Sequence, residues 1–211
     1  MRDCWYADNR DLIKWGVLLR LAEKFEARRV VYLAYYRPST FGQLIIDGQK
    51  RDIPEEVIAH FRNLRTVGSM GSNVRVTVFD PVFESEDRHT YLQAVHALLQ
   101  AFAQEPCVVF LDPDTGLEPR KAGAKHVLNR EAKAVWERMK AGDLFVFYQH
   151  QTNRAGQPWI ESKREQLANA LCVPIDAIRK AHAPDIADDV VFFFTPKGLT
   201  TGCSGRATGR P

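Results

Sequence analysis

The sequence predicts a single α/β domain of three layers: a Rossmann-like, mostly parallel sheet with helices on both faces. Three observations lead there. Short β-branched and aromatic runs alternate with longer amphipathic stretches along most of the 211 residues, the rhythm of strands joined by crossover helices. Several of those runs end abruptly in polar residues, as strands do where loops leave the carboxyl edge of an open α/β sheet. The composition, 45% hydrophobic and 26% charged, is that of a chain with a real core.

The elements follow in order. "NRDLIKWGVLLRLAEKF" (9–25) sets Leu12, Ile13, Trp15, Gly16, Leu19 and Ala22 at three- and four-residue steps, so it reads as an amphipathic helix capped by Asp8 or Asn9. "RRVVYLAYYRP" (28–38) is a buried strand stopped by Pro38. Residues 39–53 read as irregular or hairpin-like around Asp47-Gly48, and Pro54 opens a helix, "PEEVIAHFRNLRTV", with acids in its first turn. After the turn "GSMGSN" (68–73), "VRVTVFDP" (74–81) alternates like a strand. A long helix (85–104) leads to the strand Cys107 to Leu111. A loop (119–128), a short helix (129–141), a strand with a polar end (142–153) and a helix (159–171) come next. Residues 174–183 read as one or two further helical turns and 188–198 as a final strand. The domain spans 1–198, and 199–211 forms a flexible tail.

The bulk properties narrow the function. Cys4, Cys107, Cys172 and Cys203 are scattered with no CxxC pair, which argues against a zinc knuckle or a disulfide framework and for reduced thiols. A net charge of +3 is compatible with a nucleic-acid partner. No apolar run approaches the roughly 18 residues of a membrane span, and the polar N-terminus lacks a signal-peptide core. The expectation is a soluble, cytoplasmic protein with no membrane partner.

If the strands are parallel, four polar strand ends share one edge: Tyr35 to Ser39, Asp80, Asp112 to Thr115, and Gln149 to Asn153. The densest is "CVVFLDPDTGLEPRK" (107–121), where an apolar run breaks into Asp112-Pro113-Asp114-Thr115-Gly116. Asp-Pro and Asp-x-x-Gly also form turns, because a short carboxylate bonds to its own backbone. That simpler account suits Asp80-Pro81; the crowding of polar groups at 112–118 points to a site.

On these residues the chain resembles large-subunit rRNA adenine-N6 methyltransferases. Their opening stretch of small residue, Asn-x-x-Asp-x-x-Lys, is matched by Ala7, Asn9, Asp11 (one residue closer) and Lys14. Their Asp-Pro-Pro-Tyr motif falls where this chain has Asp112-Pro113-Asp114-Thr115, and the next strand, "GDLFVFYQHQ", falls where the family has one. The resemblance implies a methyltransferase-like fold and S-adenosylmethionine as cofactor, with Tyr35, Ser39 and Asp80 on the cofactor side. It also implies that Asp112 and the Pro113 carbonyl hold an exocyclic amine, a task of positioning more than of acid or base chemistry. Asp114 and Thr115 replace the second proline and the aromatic, and "YLAYYRPSTFGQL" has one glycine and no acid, a degenerate cofactor loop.

Two other readings stand beside it. Asp112, Asp114 and Glu118 supply the oxygen ligands that Mg²⁺ or Mn²⁺ prefers, with Lys121 or Lys125 on a scissile phosphate and His150 as base, which makes a nuclease or phosphodiesterase. The third is a non-catalytic binding module on a degenerate methyltransferase fold. In either enzyme the partner is a nucleic acid or nucleotide, met by Lys14, Arg120, Lys121, Lys125, Gln149 and Asn153 at the strand-end rim. Lys133 and Lys163 read as solvated helix faces. His60, His89, His96 and His182 read as ordinary surface or boundary residues.

Overall fold

A computed structural model describes residues 9–38, 43–57, 63–69, 73–151 and 158–198. Its centre is a six-stranded sheet in the order β4-β1-β5-β8-β10-β9. The strands are β1 (Arg29–Leu33), β4 (Arg75–Phe79), β5 (Cys107–Leu111), β8 (Leu144–His150), β9 (Arg179–Ala183) and β10 (Ala187–Pro196). β4, β1, β5 and β8 run parallel; β10 runs antiparallel to both β8 and β9.

The inner strands β1, β5, β8 and β10 are largely buried on both sides, so their period-two alternation sorts residues between two cores rather than between core and water. Val31, Leu33, Val109, Leu111, Phe145, Phe147, Val191 and Phe193 face one core. It is closed by α2 (Arg88–Ala101), α3 (Asn129–Arg138) and α4 (Trp159–Leu171), through Tyr91, Val95, Val135, Trp136, Leu167 and Leu171. Val30, Tyr32, Val108, Phe110, Val146, Tyr148, Val190 and Phe192 face the other, beneath α1 (Asn9–Lys24), whose Ile13, Trp15, Leu18, Leu21 and Ala22 fill it. The predicted three-layer, mostly parallel Rossmann-like architecture is therefore present, with α1 as the main cover of one face.

Two short strand pairs follow β1 and β5 in the chain. The hairpin β2 (Gln43–Ile46) and β3 (Gln49–Asp52) turns at Asp47-Gly48, where φ values of 52° and 77° match the turn that suits a right-twisted hairpin. The short pair β6 (Gly116–Leu117) and β7 (His126–Val127) lies parallel just after β5. Residues 55–57 are helical and Leu64–Ser69 form a 3₁₀ helix; the stretch between them, with His60, lies outside the described residues, as do 1–8 and the tail 199–211.

Three stretches differ from the sequence reading. Leu64–Ser69 are 3₁₀ rather than the end of an α-helix and a turn, and His126–Val127 form a short strand inside the expected loop. The largest difference lies toward the C-terminal end of the chain. Residues 174–183 are not helical: Ile175–Ala177 form a single 3₁₀ turn and Arg179–Ala183 become the edge strand β9. The pairing of Arg179 to Ala181 with Phe192 to Phe194 overrides the local preference of that stretch. Among the described residues no helix is long and apolar enough to cross a membrane.

Candidate active site

In an open α/β sheet, ligands sit outside the carboxyl ends of the strands where the strand order reverses. Here β1 is followed in sequence by β4 on one side, while β5 lies on the other, so the switch point falls between β1 and β5. Leu33 stands beside Leu111 and Phe79, and the pairing continues one step on: the Asp112 N–H donates to the Leu33 carbonyl (3.0 Å) and the Ala34 N–H to that of Phe79 (3.2 Å). Three strand ends are thereby held level at the crevice.

Asp112 follows Phe110 in the alternation, so its side chain turns to the α1 face and is only 2% exposed. The Tyr32 hydroxyl donates to its Oδ2 at 2.7 Å, and the Lys14 ammonium lies 2.9 Å from the same oxygen. Lys14 Nζ also reaches Asp11 Oδ1 at 2.5 Å and sits 5.7 Å from the centre of the Tyr148 ring. The Asp11–Lys14 spacing makes this possible, since residues three apart share a helix face. Burial opposes the Lys14 charge, yet the Asp112 and Asp11 carboxylates outweigh it and hold its pKa above the ordinary value. Burial and the Asp112 charge push the Tyr32 phenol far up, so it remains a donor. The first helix and the end of β5 thus form one buried ionic cluster. The sequence reading named Lys14 and Asp112 separately, Lys14 as a rim contact; the structure buries Lys14 against Asp112 instead. Tyr32 was missed, although its place two steps before Ala34 puts it on the Asp112 face.

The loop after β1 bends in an unusual way. Tyr35 has φ = 44°, a left-handed conformation that costs a residue with a Cβ about 1–2 kcal/mol. A glycine would be unstrained at this position. Tyr35 is held there by packing: its ring lies 5.0 Å from both Phe83 and Tyr91, and its N–H donates to the Tyr91 hydroxyl (3.1 Å). Its side chain is therefore part of the core on the α2 side, and only its backbone borders the crevice. Asp80, at the end of the neighbouring β4, is partly exposed and pairs with Arg65 (2.9 Å). Ser39 and Asn153 lie outside the described residues.

The loop after β5 is fixed by Gln149, which the sequence alone suggests as a substrate contact. Gln149 is fully buried; its amide donates to the Thr115 carbonyl (3.1 Å) and accepts from the Leu117 N–H (2.9 Å). Gly116 has φ = 128°, and a Cβ there would stand 2.3 Å from the Gln149 amide, which explains the glycine of "DPDTG". Pro113 is buried, and Asp114 is bonded by the Arg37 guanidinium.

Glu118 accepts from the Asn129 N–H at the start of α3 (2.8 Å). Asp112, Asp114 and Glu118 thus have separate partners, and among the described residues no three His, Cys, Asp or Glu side chains are grouped to hold a metal ion. His150 Nε2 faces Asp189 Oδ2 (3.1 Å), which Arg10 also bonds; burial works against the Asp189 charge, but these partners hold its pKa low.

Arg120, Lys121 and Lys125 are exposed on the rim. Their loop is pinned by Arg88, which donates to Glu131 (2.9 Å) and to the Gly123 carbonyl (3.0 Å). Lys133 is a solvated i,i+4 partner of Glu137, as expected. Lys163 is half-buried, reaching Gln166 (2.9 Å), and burial lowers its pKa; it is not a solvated face.

No protein-family model matches this chain, and no curated protein does. Some solved structures do. A Thermobifida fusca YX protein bearing a provisional methyltransferase name aligns over 90% of this chain and 80% of its own, at 12% identity and a TM-score of 0.41. A DUF574 family protein of Streptomyces avermitilis MA-4680 aligns over 90% and 82%, at 10% identity and the same TM-score of 0.41. The class is defined by the sheet of this chain itself: a doubly wound, Rossmann-like α/β protein with a buried ionic cluster beneath its switch point.

Proposed function

We propose that the chain is a methyltransferase-like enzyme that binds S-adenosylmethionine at the crevice between β1 and β5 and acts on an exocyclic amine of a nucleic acid or nucleotide. The observation that carries this is the position of Asp112, a fixed carboxylate at the end of the strand bordering the switch point. The residues present fit such a cofactor. The backbone of Ala34 to Tyr36 lines the crevice without a glycine because Tyr35 already adopts φ = 44°. Asp80 follows β4, the strand beside β1, and in this reading its carboxylate would meet the ribose hydroxyls.

The cofactor would supply an electrophilic methyl group on a sulfonium; the work of the protein is positioning. Tyr32 and Lys14 converge on one oxygen of Asp112, Oδ2. These two donors fix the orientation of the Asp112 carboxylate. Asp112 and the Pro113 carbonyl would then accept the two amine hydrogens and aim the nitrogen lone pair. The rim of Arg120, Lys121 and Lys125 would meet phosphates.

Calorimetric titration with S-adenosylmethionine, and separately with Mg²⁺ and Mn²⁺, tests this reading. It expects cofactor binding that survives Asp114→Ala. Metal binding lost in Asp114→Ala, with no cofactor binding, would overturn it in favour of a phosphodiesterase.

A further inference from the structure

The two loops that diverge at the switch point are joined by an ion pair. Arg37 leaves β1 and Asp114 leaves β5, and the guanidinium Nη2 donates to the Asp114 carboxylate. β1 and β5 run parallel with Leu33 beside Leu111, so a contact made just beyond both strand ends lies over the crevice. The side chains are 16% and 11% exposed. Both loops are anchored close by: the Tyr36 carbonyl accepts from the Phe83 N–H (2.7 Å), and the Thr115 carbonyl accepts from the His150 N–H (2.9 Å). The pair therefore spans two fixed supports.

A largely buried ion pair gains little stability over apolar packing, because desolvation offsets most of its attraction. Its chemistry is more telling. A guanidinium is a planar fork of donors matched to a carboxylate, and this one already holds a carboxylate at the mouth of the crevice. We propose that Arg37 is the anion-binding residue of the crevice and that Asp114 occupies it until the carboxylate of the bound ligand takes its place. The inference rests on the proposed function, which makes that carboxylate the amino-acid end of the cofactor. It gives Asp114 a role other than metal binding, that of an internal competitor.

The test uses two nucleosides in calorimetry. S-adenosylhomocysteine carries the amino-acid carboxylate; 5′-methylthioadenosine keeps adenosine and sulfur but lacks it. Arg37→Ala should weaken S-adenosylhomocysteine about tenfold to a hundredfold, the effect of losing a charge-assisted contact, and leave methylthioadenosine unchanged. Asp114→Asn, nearly isosteric, should tighten S-adenosylhomocysteine severalfold, again without effect on methylthioadenosine. Arg37→Ala acting on both nucleosides alike, or Asp114→Asn weakening S-adenosylhomocysteine, would overturn the proposal. If the wild type binds neither nucleoside, the proposed function itself falls; if it binds both equally, only this inference falls.

Discussion

The two edges of the sheet each bury an aspartate beside a lysine, and they use the pair differently. At the amino edge, Asp143 accepts from the backbone N–H groups of Cys107 (3.0 Å) and Lys140 (3.1 Å), and Lys140 Nζ adds a contact at 2.5 Å. Its carboxylate closes a turn and holds the start of β5, which is a structural task. At the carboxyl edge, Asp112 accepts from side chains of two other elements, Tyr32 on β1 and Lys14 on α1. Side-chain donors can shift or share when a ligand arrives; backbone donors fixed in a turn cannot. Burial alone therefore does not distinguish the two acids. The kind of partner, and the edge of the sheet each lies on, does.

The largest effect should come from removing the shared cation. Lys14→Met leaves Asp11 and Asp112 buried without it and should cost about 3–5 kcal/mol in urea unfolding; a loss under about 1 kcal/mol would show that the cluster is not coupled as described. Asp143→Ala leaves two N–H groups without their acceptor and should cost about 2–4 kcal/mol. S-adenosylmethionine affinity, read by calorimetry, should not change. A selective loss of affinity at unchanged stability would erase the distinction between the edges.

Gly116→Ala should cost about 1–3 kcal/mol through overpacking, since the new Cβ meets the Gln149 amide and φ is 128°. Gln149→Ala in the same chain should recover part of that loss, measured as thermal midpoint. The smallest effect concerns pH. Because the folded pKa of Asp189 is lowered, its stabilisation is present above the ordinary carboxylate value of about 3.9 and is lost as pH falls through the lower folded value. The thermal midpoints of wild type and Asp189→Asn should therefore differ at neutral pH and converge in acid.

The alternation of the strands and their polar ends was enough to read the sheet and the carboxyl edge, because both follow from local periodicity. The place of Asp112 at the end of β5 is legible for that reason. The partnership of Asp112 with Lys14 is not: one lies at the end of β5 and the other in the first helix, and a lysine three residues after an aspartate reads as a surface pair until packing buries it. Gln149 looked like a rim residue because it follows "LFVFY", yet its burial depends on the Gly116 turn of another loop. The sequence of β9 reads as helix because an edge strand half-exposed to water carries charges that blur the period of two. Its strand state comes from β10, beyond the reach of local sequence.

The role proposed for Asp112 is tested most directly by methyl transfer from labelled S-adenosylmethionine to nucleic acid or nucleotide acceptors by wild type and Asp112→Asn, with cofactor affinity measured on the same samples. Transfer by the wild type is expected, with loss of transfer in the variant while the cofactor still binds. Undiminished transfer by Asp112→Asn, or cofactor binding by the wild type with no transfer to any acceptor, would contradict it; the second outcome would leave a binding module on a methyltransferase-like fold.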